Sequence, residues 1–105
     1  MTALKNFTPR EAYAAYMLGS VLVDVRDQMG ANAKEADVKQ IVHLPFSELD
    51  KRFNELPSNK PVVIVSGKGN KGMQAARFLM NQGYEDVAIL DGGMAAWEQE
   101  GFPIR

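Results

Sequence analysis

The stretch VIVSGKGNKGMQAARFL, residues 63–79, runs from a β-branched apolar segment into a loop with three glycines and two lysines, then into an amphipathic segment. Pro61-Val62-Val63-Ile64-Val65 is short, apolar and bounded by turn residues, which marks a buried strand. Met73, Ala76 and Met80 recur at i, i+3 and i+7, so residues 71–82 form a helix whose end is set by Gly83. A strand followed at once by a helix implies a parallel sheet and puts the connecting loop, Ser66 to Gly72, at the sheet's carboxyl edge, where α/β proteins place their sites.

The flanks repeat this alternation. Thr8-Pro9-Arg10-Glu11 is a capping box with proline at the first helical position and predicts a helix over residues 9–18, stopped by Gly19. Val21-Leu22-Val23-Asp24-Val25 reads as a second buried strand. Residues 28–39 are polar and read mostly as loop, with a helical turn around Ala33-Ala36. Ile41-Val42-His43-Leu44 is a short strand ended by Pro45, after which Ser47 caps a helix carrying Leu49, Phe53 and Leu56 on one face. Val87-Ala88-Ile89-Leu90 is a further strand, and residues 94–100 form a last helix that stops at Gly101. The result is one α/β domain over residues 1–105 with right-handed crossovers and helices on both faces of the sheet.

Composition narrows the function classes. A net charge of −1, from 12 basic and 13 acidic side chains, offers no global field for nucleic acid or an anionic membrane, so an anion site must be built locally. No segment has the length and apolarity of a membrane span, and the simplest reading of the amino-terminal residues is a cytoplasmic protein. The absence of cysteine excludes disulfides, thiolate zinc sites and a cysteine nucleophile, and the single histidine, His43, excludes a multi-histidine metal site. Neither a metal nor a cofactor is expected.

The loop itself has the makings of an anion seat. A helix beginning near Lys71 directs free N–H groups and a positive dipole end at the loop, and glycines at 67, 69 and 72 let successive amides converge. The anion-binding loop is therefore read as Gly67, Lys68, Gly69, Asn70, Lys71 and Gly72, with the two lysines available to add charge at its rim. Gly67 to Gly72 also matches G-x-G-x-x-G, and Asp91 follows about 20 residues later, as a dinucleotide fold would have it. Against that reading, such a motif belongs to the first strand of a longer sheet, and half of this chain precedes it. A phosphate loop is half met, because Met73-Gln74 stands where lysine and a hydroxyl residue are required.

Three ordered motifs resemble the rhodanese-like family of sulfurtransferases. Val23-Asp24-Val25-Arg26 is similar to that family's Asp-Val-Arg signature. Residues 63–79 resemble its active loop and following helix, with the usual pattern Cys-x-x-Gly-x-Arg-Ser-x-x-Ala-Ala. Leu90-Asp91-Gly92-Gly93-Met94-Ala95-Ala96-Trp97 and Gly101-Phe102-Pro103-Ile104 are similar to its closing Gly-Gly-x-x-x-Trp and Gly-x-Pro elements. The resemblance implies a rhodanese-like fold with a central parallel sheet of about five strands. It also implies an ancestral reaction in which a loop cysteine takes sulfane sulfur from a donor such as thiosulfate and passes it on as a persulfide. Ser66 stands at the position of that cysteine, Lys71 at the arginine and Gly72 at the small hydroxyl residue; where the family often has Gly-His-Ile-Pro-Gly-Ala, this chain has Ala36-Asp37-Val38-Lys39-Gln40-Ile41. The count from Ser66 to Lys71 gives the shorter, sulfurtransferase-like loop rather than that of the cell-cycle phosphatases in the family.

A hydroxyl cannot carry a persulfide and barely ionises at neutral pH without a partner base, and His43 belongs to a different strand. The expected function is accordingly a non-catalytic, anion-binding or regulatory module linked to sulfur handling, with a small sulfur anion, sulfate or phosphate in the loop and a protein of sulfur metabolism as partner. A thiosulfate sulfurtransferase carrying an engineered cysteine-to-serine change at Ser66 is the alternative, and a dinucleotide-binding module the distant third. Asp24 and Arg26 are read as a structural ion pair and Trp97 as a core residue.

Overall fold

A computed structural model of the chain describes residues 4–27, 34–67 and 71–105. Its centre is a five-stranded, all-parallel sheet in the order β1-β5-β4-β2-β3. The strands are β1 (Lys5–Phe7), β2 (Val21–Asp24), β3 (Ile41–His43), β4 (Val62–Val65) and β5 (Val87–Leu90). Every residue of β2, β4 and β5 is buried, the pattern of strands covered on both faces. Alternate residues point to opposite sides and build two cores. Val21, Val23, Ile64, Val87 and Ile89 lie on one face, Leu22, Val63, Val65, Ala88 and Leu90 on the other.

The first face is covered by α3 (Lys71–Asn81) and by the segment around α2 (Leu49–Arg52), the second by α1 (Pro9–Met17) and α4 (Gly93–Gln99). The Thr8 capping box forms as read: the Thr8 hydroxyl accepts from the Glu11 N–H and the Glu11 carboxylate accepts from the Thr8 N–H. Trp97 is fully buried in the second core, and its indole N–H donates to the Pro103 carbonyl at 2.7 Å.

Four local readings change. The fifth strand, β1, pairs with β5 at the sheet edge in a segment the residue patterns left unassigned. Ser47 caps no helix: residues 46–55 break into a 3₁₀ turn, the single turn α2 and another 3₁₀ turn, although Leu49, Phe53 and Leu56 do share one core-facing side. The cause is non-local, since the Phe46 N–H donates to the Val25 carbonyl and the Ser47 N–H to the Asp27 carboxylate, fixing the segment's entry before a regular helix can form. Residues 34–37 are not helical: Ala36 bridges Ile104 in antiparallel fashion, while Ala33 and the rest of 28–33 lie outside the described residues. Finally, α3 turns Gly72, Ala75, Ala76 and Leu79 inward, leaving Met73 40% exposed. Small residues win that face because the helix approaches β4 and β5 closely.

Candidate functional site

Strand β4 lies between β2 and β5, so the residue that follows it emerges at the middle of the sheet's carboxyl edge. That residue is Ser66, buried with 8% of its surface exposed. Two elements close on it. The first turn of α3 presents Gly72, where a Cβ would stand 2.9 Å from the Ser66 Oγ and 3.3 Å from its Cβ. From the opposite side, α4 begins at Gly93 with φ +59°, and a Cβ there would fall 2.2 Å from the Ser66 carbonyl oxygen and 2.6 Å from that of Gly67. Only glycine permits this approach. The Met94 N–H then donates to the Ser66 carbonyl at 3.1 Å, fastening the loop's first residue to α4.

The neighbouring charges brace the loop's surroundings. Asp24, buried at the end of β2, accepts from the Arg26 Nε at 3.0 Å and from its Nη2 at 2.7 Å, the two-pronged pair expected of these residues. The aliphatic stem of Arg26 passes beside Gly67. Lys71 is engaged outside the loop: its Nζ lies 2.9 Å from the Asp27 carboxylate and 5.9 Å from the centre of the Phe46 ring. Asp27 also accepts the Ser47 N–H at 2.7 Å; that hydrogen bond first, and Lys71 second, hold its pKa down at about 2. Lys68, Gly69 and Asn70, the middle of the proposed anion loop, lie outside the described residues.

His43 is remote from Ser66. It ends β3, and β2 intervenes before β4, so the two backbones are about 10 Å apart at the usual strand spacing. Its Nε2 faces Glu35 at 2.9 Å, and Glu35 in turn pairs with Arg105, a chain of contacts that ties residues 35–37 to the carboxyl-terminal segment. No triad can be assembled from these residues, and among the described residues no group of His, Asp and Glu has the spacing of a metal site.

Beside Ser66 the sheet edge opens into a cavity of about 380 Å3, lined by Ser66, Gly67, Gly72 and Met73 on one side and by Asn6 and Asp91 on the other. Residue patterns missed the contributions of Asn6 and Met73, which come from an unassigned strand and from a position assigned to the core. The double glycine at 92–93 was the visible signal for the tight contact of α4 with the loop.

Comparison with known proteins agrees with this architecture. A thiosulfate sulfurtransferase GlpE of Pseudomonas syringae is 36% identical over 97 residues, covering 92% of this chain and 90% of that one. A sulfurtransferase of Allochromatium vinosum is 36% identical over 84 residues, 80% and 77% of the two chains. The crystal structure of a rhodanese-related protein from Thermoplasma volcanium superposes with a TM-score of 0.79 at 23% identity, over 96% of this chain and 97% of its own, a likeness of fold. With the rhodanese-like domain model matched across residues 8–100, and with Ser66 where the family's pattern has its cysteine, the chain belongs to the rhodanese-like domain family.

Proposed function

We propose that this domain is a non-catalytic member of its family, which binds a small oxyanion or sulfur anion in the loop after β4 and serves a sulfur-handling partner. The observation that carries the reading is Ser66. It is buried between Gly72 and Gly93, yet it offers a hydroxyl in a chain without cysteine. Sulfur transfer needs a thiolate whose pKa is lowered by the helix end and which can hold a second sulfur; serine can do neither. What the seat retains is the helix end itself. Gly72 brings the first turn of α3 against Ser66, so its unpaired N–H groups lie beside residue 66.

The test is sulfur transfer from thiosulfate to cyanide by the protein and by its Ser66→Cys variant, with an amide titration using sulfate and thiosulfate. The unsubstituted protein should show no turnover above the uncatalysed rate, while millimolar anion should shift the amides of Gly67, Lys71 and Gly72. Turnover by the unsubstituted protein, or no amide response, overturns the proposal. Gain of turnover by Ser66→Cys favours the second reading, a thiosulfate sulfurtransferase with an engineered change at one atom, which the 36% identity to GlpE supports. Lys71 and Gly72 speak against it, since a single engineered change leaves both departures from the family's pattern unexplained. A dinucleotide module would be stabilised thermally by NAD, and no such stabilisation is expected.

A further inference from the structure

The Ser66 side chain takes no part in holding the loop. The residue is fastened through its backbone, by the Met94 N–H to its carbonyl, and among the described residues its hydroxyl makes no hydrogen bond although only 8% of the residue is exposed. A hydroxyl so placed gains from any polar group that reaches it. The way to it is the cavity at the sheet's carboxyl edge, which Ser66, Gly67, Gly72 and Ile89 line together. Gly72 keeps that way open on the α3 side. A Cβ there would stand 2.9 Å from the Ser66 Oγ, 3.3 Å from its Cβ and 3.5 Å from the Ile89 Cγ2, filling the wedge between the two side chains. The hydroxyl also has the polarity that an oxyanion needs: it is a neutral O–H donor free to rotate, whereas a thiolate in its place would meet the anion charge against charge.

We infer that the Ser66 hydroxyl sets the selectivity of the anion seat: it donates to an oxygen of a tetrahedral oxyanion, of the sulfate or phosphate type, in the wedge that Gly72 leaves open. The inference rests on the reading of this loop as an anion seat and narrows its ligand to one chemical class. The N–H groups at the start of α3 attract any anion. The hydroxyl tells anions apart, because a hydrogen bond to a localised anionic oxygen is about twice as strong as a neutral one, while an anion that spreads its charge accepts weakly. Gly72 is a positioning residue in this scheme and acts through Ser66. An alanine at 72 turns the hydroxyl away and occupies the space beside it.

The experiment is an amide-shift titration of the full chain at neutral pH and matched ionic strength with sulfate and with perchlorate, which is tetrahedral but a poor hydrogen-bond acceptor. Sulfate should shift the amides of Gly67, Lys71 and Gly72 in a saturable response and bind more tightly than perchlorate. Ser66→Ala should weaken sulfate about ten-fold, the loss of one hydrogen bond to a charged group, and leave perchlorate unchanged. Gly72→Ala should weaken sulfate in the presence of Ser66 and have a smaller effect in the Ser66→Ala background, because the two residues act through one hydroxyl. Inorganic phosphate should lose the same factor as sulfate in Ser66→Ala, and the tighter of the two names the natural source of the oxyanion. Sulfate affinity unchanged in Ser66→Ala, or perchlorate bound as tightly as sulfate, overturns the inference and leaves the anion seat standing. No amide response to any of these anions overturns the seat and the inference with it.

Discussion

Gly93→Ala measures how tightly α4 is pressed against the loop. Two costs follow from the geometry. At φ +59° an alanine occupies the left-handed region, at about 1–2 kcal/mol. Its Cβ would also lie 2.2 Å and 2.6 Å from the Ser66 and Gly67 carbonyl oxygens. To restore ordinary contact the start of α4 must retreat by about 1 Å, which breaks or bends the Met94 N–H bond to Ser66 at 3.1 Å. Loss of that bond with its carbonyl left enclosed adds about 1–3 kcal/mol. The sum is about 2–5 kcal/mol, a large part of the stability of a domain this size. Gly83→Ala is the internal reference. Its φ of +100° is equally foreign to alanine, yet nothing lies within 4 Å of a Cβ there, so only the backbone cost applies. Urea unfolding followed by the emission of Trp97, the chain's one tryptophan, reads both variants. Gly93→Ala should lose at least about 1 kcal/mol more than Gly83→Ala, a further fall in Tm of about 4–8 °C. Equal losses in the two variants would refute the close approach of α4 to the loop.

Two further perturbations test the frame around the site. Tyr84→Phe removes a hydroxyl that donates to the Leu56 carbonyl at 2.7 Å and the Phe53 carbonyl at 2.9 Å, and should cost about 1–3 kcal/mol in urea unfolding. Burial raises the Tyr84 pKa above its usual value of 10, so the stability linked to the neutral phenol is complete below that pH and lost as pH rises through the raised value. Tyr84→Phe should therefore lack part of the alkaline destabilisation seen in the unsubstituted protein. Asp27 behaves in the opposite sense. Its carboxylate is held down to about 2 from 3.8, so its contribution is present above 3.8 and disappears as pH falls through about 2. The difference in urea midpoint between the protein and Asp27→Asn should be steady near neutrality and vanish in that acid window; a difference that persists at the lowest pH sinks the bracing of the Asp27 carboxylate by the Ser47 N–H and Lys71.

The strands and the site differ in how much of them the residues reveal. Val62–Val65 and Val21–Asp24 are legible because a strand covered on both faces needs apolar side chains at every position, a local signal. Lys5–Phe7 carries no such signal; it becomes a strand by adding to the edge of β5, with Lys5 paired to Asp86 across the junction. On α3, Ala76 and Met80 face the core as their spacing predicts, whereas Met73 turns outward and Gly72 inward, against their hydrophobicity. What decides that face is room against Ser66, where the smallest residue fits. Ser66 itself was legible from the strand-loop-helix order. Asn6, Asp91 and Gly93 join it only through the strand order and the return of α4 to the sheet edge, contacts between residues far apart in the chain.

Ser66, Lys71 and Gly72 depart together from the family's pattern, and the structure gives each a different reason for being tolerated. The loop's first residue is anchored through backbone groups, by Met94 N–H to the Ser66 carbonyl and by Val25 N–H to the Val65 carbonyl, so its side chain can change without moving the chain. Gly72 and Ser66 are coupled, because a Cβ at 72 and the hydroxyl at 66 would compete for the same space at 2.9 Å. Lys71 is coupled to neither: its ammonium answers to Asp27 and Phe46 on the far side of the helix start. An ammonium makes a point contact where a guanidinium would make a fork, so arginine's second arm, which an anion in the loop could use, is missing. The backbone contacts of residue 66 thus survive its change of side chain, while at Lys71 a point charge stands where the family's pattern has a fork.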